Sequence, residues 1–226
     1  MMIIPLKAVR ILGQTTTVDL ASSSQFGSKT DAAVVRTQLL IENDQAEMSL
    51  PLAFLTTDAD ESNPPVVRVG HDKRQMSGTL VSDVDRQAFM QGAVAAATAA
   101  GAPVEIVTAS LSEAFDRATH HHKTFVTLRQ GEKLMLEFVS RSRVKIDPAT
   151  RTGTFKTLAP LPQYQLAAGG TLWIAVALPR PLAGLGVNLL GATEGFNRTE
   201  YDVLGRKLVA WQWQNDPLLE LTYQYA

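Results

Sequence analysis

Hydrophobic and polar positions alternate with a period of two along the last eighteen residues, Leu208 to Tyr225. Val209, Trp211 and Trp213 fall on one side, Ala210, Gln212 and Gln214 on the other. Beyond Asn215-Asp216-Pro217, the residues Leu219, Leu221, Tyr223 and Tyr225 alternate with Glu220, Thr222 and Gln224. Successive strand side chains point to opposite faces, so each run predicts a strand with one dry and one wet face. Two such runs about a turn predict a terminal hairpin.

The same reading predicts sheet over most of the chain. Ile3–Leu12 and Thr15–Leu20 are strands parted at Gly13-Gln14, followed by Ala33–Glu42 and Glu47–Leu55. Pro51 cannot donate to a ladder, which assigns that last strand to an edge or a bulge. Val66–Val69 is a short strand. Phe125–Arg129 and Leu134–Val139 flank Gln130-Gly131-Glu132-Lys133, a second hairpin signal. Val144–Ile146 runs into the turn Asp147-Pro148-Ala149-Thr150, and Gly153–Leu158, Leu172–Leu178 and Val187–Leu190 follow. No fixed-period repeat is present, which argues against a solenoid or propeller.

The middle of the chain reads differently. Ser82 is placed to cap a helix, Asp83 and Asp85 occupy its first turn, and an Ala-rich run extends to Ala100 with Gly101 at the C-terminal cap. Pro103–Thr108 then reads as a strand and Glu113 to about His120 as a shorter helix capped by Ser112. Strand, helix, strand, helix over about 66–122 predicts a small α/β unit. Gly92, Ala96 and Ala100, beside Ala93 and Ala97, form small-residue rows that suit close packing on the chain's own sheet or on another subunit. The expected fold class is α+β and predominantly β: antiparallel sandwich or jelly-roll-like sheets with a central α/β section carrying one Ala-rich helix. Residues 1–226 are expected to form a single domain, with the α/β section as an insertion.

Composition narrows the function classes. Lys plus Arg total 21 and Asp plus Glu total 22, so the formal charge is −1. A near-neutral chain lacks the global field that steers proteins onto nucleic acid or anionic membrane, and any such binding must come from a local patch. With no cysteine, disulfides, thiolate metal sites and cysteine nucleophiles are excluded. Lys7 and Arg10 interrupt the apolar N-terminus, so no signal peptide is expected and a cytoplasmic product is. Leu166–Leu178, the longest apolar run, is shorter than a membrane span and reads as a buried strand.

Candidate chemistry is sparse. His120-His121-His122 cannot converge on one ion, because adjacent side chains diverge on a strand and fan out on a helix. The run is expected at a polar helix end, where histidine suits the C-terminal dipole. Asp116 and His120 have the i, i+4 spacing of a helical metal fragment, which His71 or Asp72 would have to complete. These are weak metal candidates, and no cofactor is expected. Asp58, Asp60 and Ser62 begin like a calcium loop, but Asn63 and Val69 stand where it needs Gly and Glu, so the calcium reading fails. Arg141, Arg143 and Lys145 alternate along a strand as one positive stripe that Arg129, Lys133, Arg151 and Lys156 can extend. Such a stripe can hold phosphates or simply keep an exposed edge soluble. Gly184-Leu185-Gly186 lacks the third glycine of a dinucleotide fingerprint, and no phosphate loop or nucleophile elbow is present. Nothing in the sequence brings Glu194 and Glu200 together as a carboxylate pair.

These observations lead to three expectations. The first is a non-enzymatic structural or assembly protein partnered by copies of itself or other subunits, one form being a coat or tail component of a virus-like particle. The second is an enzyme, such as a metal hydrolase, with a site at the ends of the central α/β strands. The third is a phosphate- or nucleic-acid-binding module using the basic strand.

Overall fold

A computed structural model of the chain describes residues 2–3, 8–57, 65–70, 72–75, 78–158, 166–180, 182, 186–195, 197–212 and 218–226. The elements run β1 (Met2–Ile3), β2 (Arg10–Ala21), β3 (Thr30–Glu42), β4 (Met48–Thr56), β5 (Val66–Val69), β6 (Asp72–Gln75) and β7 (Thr79–Leu80). The helices α1 (Asp83–Ala100) and α2 (Val104–Arg117) follow. The rest is β8 (His120–Leu128), β9 (Lys133–Asp147), β10 (Thr152–Leu158), β11 (Leu166–Ala177), β12 (Val187–Ala192), β13 (Thr199–Val203), β14 (Arg206–Gln212) and β15 (Leu218–Tyr225). Strand dominates, as the alternation predicts. Among the described residues no helix is long and apolar enough to cross a membrane.

One large sheet has the order β12-β15-β10-β9-β3-β2-β11-β14-β13, with β5 added to β9 and β6 to β5; a smaller one has the order β1-β4-β8-β7. The β2–β11 pair is parallel while the other pairs are antiparallel, so the large sheet is mixed. It is also curled. Its end strands β12 and β13 are separated in the chain only by residues 193–198. Thr193 ties the two ends: its carbonyl accepts from Trp211 Nε1 of β14 at 2.9 Å, and its amide donates to Glu220 O of β15 at 2.9 Å. The smaller sheet lies against the concave side. Phe54 of β4 stacks on Phe138 of β9 at 4.1 Å between ring centres, and Leu50, Leu52, Val126 and Leu128 join the same core as Val18, Leu39, Ile174 and Trp211.

The alternation at the C-terminus holds, but its pairing differs from the expected hairpin. Val209 and Trp211 are buried on β14, and Leu219, Leu221, Tyr223 and Tyr225 on β15. Yet β14 pairs with β11 and β13, while β15 pairs with β10 and β12. The two strands stand one place in from opposite ends of the curled sheet. Trp213 and Asn215-Asp216-Pro217 lie outside the described residues. The expected hairpin about residues 130–133 is corrected in the same way: β8 belongs to the small sheet and β9 to the large one.

The predicted strand at 103–108 is helical, and with it the central α/β unit becomes a helical hairpin. Val107, Ser110, Leu111, Ala114 and Phe115 are buried along α2, a three-and-four spacing that marks one helix face. The β-branched residues at its start suggested a strand, but tertiary burial overrides that weak preference. The caps of α1 are as predicted. Ser82 Oγ accepts from the Asp85 amide at 3.2 Å and donates to its carboxylate at 2.6 Å, while Gly101 takes the left-handed conformation at φ 61°. Ala93 and Ala97 of the small-residue rows join a second core with Phe115 and Leu111 of α2 and with Leu55 and Leu158. The close approach they permit is therefore to the neighbouring helix.

A buried carboxylate fastens the curl. Asp31 of β3 is inaccessible to solvent, and it accepts from Tyr223 Oη at 2.7 Å, Tyr225 Oη at 2.5 Å, Ser24 N at 2.9 Å and Ser24 Oγ at 2.6 Å. The tyrosines come from β15, separated from β3 by β10 and β9. To reach so far, the Tyr223 ring lies across its β10 partner, Gly153. A Cβ there would sit 2.9 Å from Tyr223 Cζ and 2.6 Å from Ile146 Cδ1. Gly153→Ala is therefore expected to destabilise the protein by ~1–3 kcal/mol through overpacking. Gly191→Ala on β12, where no atom lies within 4 Å, should change stability by about 0.5 kcal/mol or less. Urea melts of the two variants check this, and equal losses would contradict it.

Candidate functional site

The pairing of β9 creates a concave site. One edge of β9 is bonded to β3 throughout. The other edge is shared: β5 pairs with residues 136–139, and β10 pairs only at Ile146 and Asp147. Beyond Gly153, β10 turns away to follow β15 along its whole length. Residues 140–145 thus border a fork between β9 and β10, and a cleft of about 470 Å³ opens there.

Five elements meet in it. Ser142, Arg143 and Val144 come from β9, and Thr154, Phe155 and Lys156 from β10. Leu218 opens β15, and Thr57 and Arg117 close the site from the ends of β4 and α2. Val144 and Phe155 are buried and supply an apolar floor. Among the described residues, Arg117, Arg143 and Lys156 line the cleft with three hydroxyl-bearing residues and no carboxylate. Two carboxylates stand beside it: Glu113 pairs with Arg117 at 3.0 Å and Glu220 with Lys156 at 2.9 Å, all four side chains being roughly half-exposed.

Of the predicted basic stripe, Arg141, Arg143 and Lys145 are all on one face of β9, as strand alternation requires. Only Arg143 enters the cleft. Lys156, its expected extension, joins it from β10. Arg117 escaped the sequence reading because it is remote in sequence and reaches the site only through α2, in a segment read as strand followed by short helix.

The metal candidates are not gathered. Asp116 ion-pairs with Arg86 at 2.5 Å, and His120 Nδ1 bonds to the Thr119 hydroxyl at 3.0 Å. Asp72 lies exposed on β6, and His71 is outside the described residues. Among the described residues no group of three or more His, Asp or Glu side chains could hold a metal. Glu194 and Glu200 do meet, both on Arg198 at 2.6 and 3.2 Å, which makes them an ion-pair cluster rather than an acid pair.

The histidine run begins strand β8 rather than ending a helix. His121 and His122 are both buried although they point to opposite faces. His122 faces the large sheet near Phe138, with Nε2 3.3 Å from the Thr56 hydroxyl. His121 lies under α1 beside Phe89, with Nε2 2.6 Å from Thr79 Oγ1 and Nδ1 3.8 Å from Asp85 Oδ2. The latter exceeds hydrogen-bond range, so Asp85, His121 and Thr79 form a packed cluster rather than a relay. Burial pushes the His121 pKa down, outweighing the attraction of Asp85. The Ser82 hydroxyl holds the Asp85 carboxyl below its usual range.

No protein-family model and no curated protein matches the sequence. One solved structure resembles the fold, and two others align with the chain at lower scores. A candidate nutrient-binding protein from Legionella pneumophila aligns over 99% of this chain and 70% of its own length, with a TM-score of 0.60 at 7% identity. An M1 zinc metallopeptidase from Deinococcus radiodurans aligns over 96% of this chain and 43% of its own, with a TM-score of 0.37 at 11% identity. An acetylcholine-binding protein from Bulinus truncatus aligns over 99% and 93%, with a TM-score of 0.28 at 11% identity. The first likeness shows a shared fold and nothing more specific.

A histidine whose folded pKa is depressed favours the neutral form in the folded state. Its contribution to stability is complete above the unfolded pKa near 6.5 and is lost as pH falls below that value. The denaturation midpoint should therefore drop between pH 7.5 and pH 5, and His121→Gln should reduce that drop. An unchanged pH dependence in the variant would assign it to other groups.

Proposed function

We propose that the chain is a non-enzymatic binding module that takes a small anionic ligand in the fork between β9 and β10. The observation that carries this reading is the convergence of Arg117, Arg143 and Lys156, from three separate elements, on one cleft of about 470 Å³. That volume is in the range of small-molecule sites, which combine an apolar lining with a few placed polar groups. The hydroxyls of Thr57, Ser142 and Thr154 and the apolar floor supply both. Local concentration of cations also explains how a chain with net charge −1 can attract an anion at one place and not over its whole surface. A nucleic acid would follow the whole stripe. Arg141 and Lys145 lie outside the cleft, which favours a compact ligand. The ligand-binding designation of the Legionella neighbour accords with this role, although its likeness bears on fold alone.

Benzoate is a suitable first probe, since it joins an anionic head to an apolar body. It should bind at low salt and weaken as salt is raised. Arg143→Ala and Lys156→Ala should each weaken binding by about 5–10-fold or more, as expected for charge-assisted contacts. Calorimetry that detects no benzoate binding at low salt, or binding indifferent to both substitutions, removes the cleft as the site.

A second reading, association with copies of itself, rests on β13. This strand ends the large sheet and is exposed along its length, with Tyr201, Val203 and Leu204 presenting apolar surface. Open edges are templates for pairing, although Glu200 and Asp202 are the kind of charge that blunts one. The coat-or-tail form of this reading rests on composition and strand content alone. Sedimentation across a dilution series should show reversible association that Tyr201→Lys abolishes; a monomer at every concentration ends this reading.

A further inference from the structure

The carboxylates beside the cleft deepen the proposed function, and the role assigned to them rests on that reading. Glu113 lies one helical turn before Arg117 on α2, so the 3.0 Å pair is set by local helix geometry. Glu220 is the direct cross-strand partner of Lys156 and meets it at 2.9 Å. Neither acid lines the cleft, yet each holds a cation that does. Any anion entering the site must share those two cations with a resident carboxylate. The pairs are half-exposed and individually weak, so they can be shared or displaced rather than locked.

We infer that Glu113 and Glu220 are specificity-determining residues that bias the cleft toward singly charged organic anions with a short apolar body. The reason is the form of Coulomb's law. Repulsion from a fixed carboxylate scales with the charge on the ligand head. Each glutamate therefore weakens a dianion about twice as much, in free energy, as a monoanion of the same shape and position. Leu218, with the buried Val144 and Phe155 beneath, makes the apolar part of the lining against which the body would rest. Thr57, Ser142 and Thr154 offer hydroxyls to a head that cannot claim every cation.

Two probes of matched body isolate the effect: benzoate and phenyl phosphate, the latter largely dianionic at about pH 7.5. Their affinities are measured for the wild type, Glu113→Gln, Glu220→Gln and the double variant. Both probes should bind more tightly as the acids are removed, and the gain should be larger for the dianion. A ~3-fold gain for benzoate would correspond to about 9-fold for phenyl phosphate, since doubling the charge doubles the free-energy change. Raising the salt concentration should compress the difference. Equal gains for the two probes, or no gain, overturn the inference while leaving the cleft reading intact. Failure of both probes to bind any of the four proteins overturns the cleft reading itself. A purely structural role for the glutamates would not separate probes that differ in head charge.

Discussion

The buried carboxylate of Asp31 is the constraint on which the arrangement turns. An isolated charge in a protein interior is costly unless every acceptor site is used. Here two phenols, a backbone amide and a serine hydroxyl converge on it. Those donors come from the 3-10 turn Ser23–Phe26 beside β3 and from β15 at the far end of the chain. The contact is a chord across the curl of the sheet. Its chemistry reinforces its geometry: burial and the Asp31 carboxylate raise the pKa of both tyrosines, so the phenols stay protonated and keep donating.

The same chord positions the cleft. Tyr223 crosses Gly153, and Gly153 is one of the two β10 residues paired with β9. The fork between those strands therefore has its vertex beside the Asp31 cluster. On one side of the vertex the turn at 147–151 closes the hairpin. On the other, β10 follows β15 and diverges from β9. The divergence of β10 from β9 opens the cleft, and the helical hairpin, packed on Leu55 and Leu158, brings Arg117 to the opening.

How much of this could be read from the sequence depends on the range of the interaction involved. Alternation is local, and it correctly identified the buried faces of β14 and β15 and the shared face carrying Arg141, Arg143 and Lys145. The caps of α1 are local too, and Ser82 and Gly101 behave as their side chains dictate. Strand partnership is not local. Residues 208–225 carry two strands that are neighbours in the chain and stand one place in from opposite ends of a sheet, and no spacing in the sequence encodes that. Helix α2 was obscured because Val104, Ile106 and Val107 suit a strand when read alone, and only burial against α1 favours the helix. The His121 and His122 environments were illegible for a related reason. A strand covered on both faces buries consecutive residues, so alternation gives no sign of it.

The distribution of charge separates the framework from the proposed site. Asp31 is the only Asp, Glu, Lys or Arg buried among the described residues, and all its acceptor capacity is taken by donors fixed in the fold. Such a group has nothing left to offer a ligand, and removing its partners would leave a buried charge unsatisfied. The cleft reverses each of these terms. Arg117 and Lys156 are half-exposed, their carboxylate partners are half-exposed as well, and solvent screening keeps those pairs weak. A cation in that condition can exchange one anion for another at little cost to the fold. Stability is thus concentrated where the charge is saturated and dry, and the proposed recognition where it is shared and wet. Substitutions at the cleft can therefore alter the proposed binding while leaving the Asp31 chord, and the curl it fastens, in place.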